Sequence, residues 1–113
     1  MTEKIDLGKR IDSINHDIHV GASGDFEKFM EELDPLEWQY IISSRGDYLG
    51  CIITIESGGP HTAIDTYRRE IRTTWGLEEA SRDISESLAE KLNDFFREIF
   101  EGQLEYEKYY KKG

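Results

Sequence analysis

The chain has 113 residues, enough for one small domain with a single core. Lys+Arg number 14 against Asp+Glu 24, and the formal net charge of −10 opposes ordinary nucleic-acid binding, where phosphate contacts demand cations. A single cysteine, Cys51, excludes an internal disulfide, and no run of about 18 apolar residues offers a membrane span.

The opening MTEKIDLGKRIDSINHD contains no apolar leader, which predicts a soluble cytoplasmic protein. Leu7, Ile11, Ile14 and Ile18 recur at i, i+4, i+7 and i+11, predicting an amphipathic helix from about Thr2 to Asp17. VGASG then breaks the chain. Phe26, Phe29, Met30 and Leu33 predict a short second helix, stopped at Asp34-Pro35 because a residue before proline leaves the α region. Residues 1–34 are thus read as N-terminal helices.

From Trp38 the period becomes two. EWQYIIS, YLGCIITIES, HTAIDT and EIRTTW read as four strands over residues 37–75, joined by SRGD, SGGP and YRR. Links this short favour an antiparallel meander, since parallel strands need long crossovers. Leu49, Cys51, Ile53 and Ile55 are expected to make one face of the second strand wholly apolar. A final helix is predicted over residues 83–110, starting near Asp83 or Ser85, with Asp83 and Glu86 matching a capping box. Its stripe of Leu88, Leu92, Phe95, Phe96, Ile99 and Phe100 must cover the sheet. The expected fold class is α+β, one domain over 1–113: a four-stranded antiparallel meander packed by a long C-terminal helix, with N-terminal helices beside it.

Signatures of catalysis are sparse. ESGGPHT lacks the phosphate-loop lysine, so Gly58-Gly59-Pro60 reads as a hairpin turn. His16, His19, His61 and Cys51 do not make a convincing four-ligand zinc set, and neither metal nor cofactor is expected. Cys51 and His61 fall on neighbouring strands, but Cys51 sits in an apolar alternation and reads as a structural thiol. Asp65 is expected to pair with Arg72 across a hairpin. A site around His61, Asp65 and Arg72 would lack a nucleophile–base pair, so the chain is read as non-enzymatic.

The charge is uneven. Glu86, Glu90, Asp94 and Glu98 form an unbroken i, i+4 series, a spacing at which like charges repel. Glu31, Glu32 and Asp34 make a second acidic patch, while Arg68, Arg69 and Arg72 form a basic island. Carboxylates four residues apart repeat about every 6 Å along a helix, comparable to phosphates along the winding DNA backbone. The row therefore suits an arginine-lined nucleic-acid channel. It equally suits a solvated face, because Lys91 and Arg97 lie nearby. Tyr106, Tyr109 and Tyr110 are too many for a short tail to bury and suit an interface. The basic island against the acidic ridge of a second copy would give a homodimer; otherwise the chain is a monomer.

Gly50, Gly58-Gly59-Pro60, Ile64-Asp65-Thr66, Trp75-Gly76 and Glu78-Glu79-Ala80, followed by an acidic and apolar helix, form a pattern over Tyr48 to Glu101. In that pattern the chain resembles small acidic proteins of phages and other mobile elements, among which anti-CRISPR proteins are found. The resemblance implies a non-catalytic inhibitor in the host-cell cytoplasm. It would bind the basic nucleic-acid-binding surface of a CRISPR effector and block DNA engagement, without contacting nucleic acid itself. The competing expectation is a small protein-interaction module that uses Tyr106, Tyr109 and a sheet edge.

Overall fold

The computed structural model describes residues 6–110, with side chains described through residue 104. Asp6 starts the first helix by accepting the Lys9 N–H at 3.1 Å, and α1 runs Leu7–Ser23. Against the expected break at VGASG, α1 continues through Gly21. A Cβ there would lie 2.7 Å from Cδ1 of Phe29, so this glycine serves close approach between helices rather than a turn. Asp25 caps α2, Phe26–Leu33, by accepting from the Lys28 N–H at 3.2 Å. Asp34 ends it in the left-handed region, φ 43°, immediately before Pro35.

The strands are β1 Glu37–Ile42, β2 Tyr48–Glu56, β3 His61–Asp65, β4 Glu70–Trp75 and β5 Glu78–Asp83. They form one antiparallel sheet in chain order, five strands where four are expected. The missed strand, EEASRD, has neither β-branched residues nor an apolar face. Its partner makes it a strand: Trp75 pairs with Glu78 around a two-residue turn in which Gly76 takes φ 62°.

Two bulges in β2 alter the predicted apolar face. Ile41 pairs with Gly50 and Ile42 with Tyr48, which leaves Leu49 as the extra residue, 41% exposed. Tyr48 takes the core-facing position instead and packs on Phe100. A second irregularity past Thr54 sets Glu56 opposite Thr62, and the Glu56 carboxylate accepts from Thr62 Oγ1 and from Arg10 of α1.

The last helix, α3, runs Glu86–Tyr110. Its cap is Ser85, whose Oγ accepts the Leu88 N–H at 3.1 Å; Asp83 ends β5 opposite Glu70. One line of register partners crosses the sheet as Trp38, Ile53, Ile64, Ile71 and Arg82. All five point to the helix-covered face. At one end Trp38 meets Phe96 of α3 at 5.3 Å between centroids; at the other Arg82 binds Asp12 of α1 at 2.7 Å. Ile11, Ile18, Ile53, Ile64, Leu92 and Phe96 share a single buried cluster between these ends.

Candidate functional site

The arginines show where charge is already spent. Arg10 meets Glu56, and Arg82 meets Asp12. The predicted basic island is also occupied: Arg68 lies 4.0 Å from Asp65, Arg69 3.9 Å from Glu86, and Arg72 2.9 Å from Glu70 and 3.8 Å from Glu79. Arg72 therefore answers Glu70 rather than the expected Asp65. The Asp65 carboxylate instead closes the β3–β4 turn by accepting the Tyr67 and Arg68 N–H groups at 3.0 and 2.9 Å.

The acidic row divides. Successive i, i+4 positions rotate about 40° around a helix, so Glu86 and Glu98 stand about 120° apart. Glu86 faces Arg69 across the β3–β4 turn, whereas Asp94 and Glu98 face α2. Within the second patch, Glu32 pairs with Lys28 at 4.0 Å and Asp34 terminates its helix. Glu31 lies on the other side, toward α3. The structure thus gathers Asp94, Glu98 and Glu31 from the predicted residues and adds Glu27. The signal for Glu27 was its i−4 relation to Glu31.

Glu27, Asp94 and Glu98 border an open groove of about 430 Å³ with Phe26 and Phe95 in its floor. A smaller hollow beside it shares Glu27 and Phe95 and reaches Glu31; the two together are the furrow between α2 and α3. Phe26 and Phe95 meet edge to face, 6.3 Å between centroids at 75°. Lys91 is the one cation lining the furrow among the described residues. Its ammonium donates to the Ala22 carbonyl at 3.0 Å, in the last turn of α1, where a cation offsets the helix dipole. Arg97 lies 3.6 Å from Asp94 with its guanidinium 5.2 Å from the centre of the Tyr48 ring, back toward the sheet. Glu27, Glu31, Glu90 and Glu98 have no ion-pair partner among the described residues.

Cys51 and His61 stay apart. Thr66 sits opposite Cys51, and His61 lies five residues along β3, about 16 Å away at strand spacing. Cys51 is fully buried, and burial pushes its thiol above the usual range. It belongs to a polar network beneath α3. Asn93 Oδ1 accepts from Tyr48 at 2.9 Å and from Thr66 at 2.6 Å, and Thr66 Oγ1 accepts the Cys51 N–H at 2.9 Å. Burial also raises the Tyr48 phenol well above its ordinary value. His19 lies within α1, past the predicted end at Asp17: Nδ1–H donates to the Asn15 carbonyl at 2.7 Å, and Nε2 accepts the Ser85 N–H at 3.0 Å. Among the described residues no three His, Cys, Asp or Glu side chains converge as metal ligands.

The side chains of Tyr106 and Tyr109 lie outside the described residues. No described helix is long and apolar enough to cross a membrane. Comparison with known proteins yields no match to a family model, a curated protein or a solved structure.

Proposed function

We propose that the protein is a non-catalytic acidic inhibitor that binds the basic surface of a nucleic-acid-handling complex, of the CRISPR-effector kind, in the host cytoplasm. One observation carries this reading. Glu56, Asp65, Glu70 and Glu79 of the sheet each have an arginine partner, while Glu27, Glu31 and Glu98, where α2 and α3 meet, have none among the described residues. Exposed charges concentrated on one face steer a cationic partner and fix its register. Occupying that partner's DNA channel then blocks DNA by competition, with no chemical step. The divided row favours a local acidic contact over a long straight imitation of a phosphate strand.

The test adds the protein to a panel of guide-loaded CRISPR effectors and follows target-DNA binding by mobility shift at about 50 and about 500 mM salt. Loss of DNA binding with at least one effector, relieved by high salt, is the expected outcome. No inhibition across the panel, or inhibition indifferent to salt, contradicts it.

A second reading, a small interaction module built on the sheet edge, draws support from β1. That edge strand carries Trp38 and Ile42, 38% and 52% exposed, next to Leu36 at 60%. A proline at Gln39 that abolishes partner capture, while neutralising Asp94 and Glu98 leaves it intact, would select this module.

A further inference from the structure

We infer that the furrow between α2 and α3 is an arginine receptacle, receiving a guanidinium from an exposed basic segment of the partner protein. The inference rests on the charge-based reading above and names the surface and the chemistry that would carry it. Lys91, Asp94, Phe95 and Glu98 occupy i, i+3, i+4 and i+7 of α3, one stripe facing α2. From the opposite wall come Phe26, Glu27 and Glu31. Aromatic carbon therefore forms the floor, and carboxylates stand on both rims.

That combination discriminates among cations. A divalent metal needs several oxygens converging on one point, and among the described residues no such group exists. A lysine ammonium is strongly hydrated and gains chiefly from the charge of the rims. A guanidinium is planar and weakly hydrated. It can lie against a phenyl ring while its edge donates to carboxylates on either side. Phe26 and Phe95 are only partly buried, so ring surface remains open to such a ligand. With the Lys91 ammonium held by the Ala22 carbonyl, the protein's own cation does not fill the place.

The experiment titrates the full chain, isotopically labelled, with hexa-arginine and separately with hexa-lysine at equal ionic strength, followed by NMR. Hexa-arginine is expected to bind about threefold to fivefold more tightly. Its largest shifts should fall on the Phe26 and Phe95 rings and on Glu27 and Glu98. Phe26→Leu, which keeps the floor apolar but removes a π face, should shrink that preference while hexa-lysine affinity holds. Equal affinities with shifts spread along Glu86, Glu90 and Asp94 would overturn the receptacle and leave the charge-based reading standing. Failure of both peptides to bind at low salt would overturn the two together.

Discussion

The two ends of the helical layer treat charge in opposite ways. Where α1 crosses β4 and β5, Arg82 meets Asp12, and Arg10 reaches the Glu56 carboxylate that also accepts from Thr62. Where α2 meets α3, Glu27, Glu31 and Glu98 surround two phenyl rings with no ion-paired cation among the described residues. The difference teaches that a net charge of −10 is a sum over carboxylates in unlike settings. Carboxylates at the first end hold layers together. Those at the second repel one another and are tolerated.

The contrast implies opposite responses to charge removal. The largest effect is expected at the first end, where Arg10→Met strips a part-buried Glu56 of its cation. A loss of about 1–2 kcal/mol in urea unfolding is expected; a loss below about 0.3 kcal/mol would show the pair to be ornamental. The Tyr48–Asn93–Thr66–Cys51 network between the two ends is sensitive to base instead. Both Cys51 and Tyr48 release protons less readily when folded than their ordinary values of 9.0 and 10.0 imply. Above pH 9 the unfolded chain therefore holds fewer protons than the folded one, and stability falls as pH rises. Urea midpoints at pH 8 and 10.5 should show a drop, and a flat profile would contradict the buried network. The smallest effect belongs to the acidic end. Glu90→Gln with Glu98→Gln should leave stability unchanged or raise it by a few tenths of a kcal/mol, since i, i+4 repulsion is relieved at Asp94. Calorimetric melting reads that sign.

Much of the fold is legible along the chain, and the failures have local causes. Strands β1 to β4 follow from alternation and turn residues, and α2 from its i, i+3, i+4, i+7 pattern with Asp34-Pro35 behind it. β5 escapes because its strand character comes from β4 and from Arg82 reaching Asp12, neither of which EEASRD displays. Gly21 misleads because a breaker in isolation becomes a contact once Phe29 lies against it. The acidic row misleads differently. On paper Glu86 and Glu98 share a line, but a helix turns them apart, and only the packing of Phe26 on Phe95 decides which acids meet. Glu27 enters the candidate site through that packing. Its charge was visible; its neighbours were not.

Position against total charge is the decisive contrast. Hexa-arginine affinity should be measured at low salt by calorimetry for two triple variants of equal net charge. One is Glu27→Gln, Asp94→Asn, Glu98→Gln at the furrow; the other is Asp17→Asn, Glu37→Gln, Asp47→Asn elsewhere on the exposed surface. The furrow triple should lose about tenfold or more in affinity and the distant triple about twofold. Equal losses from both would mean that the charge acts only in bulk and that the furrow has no part in binding.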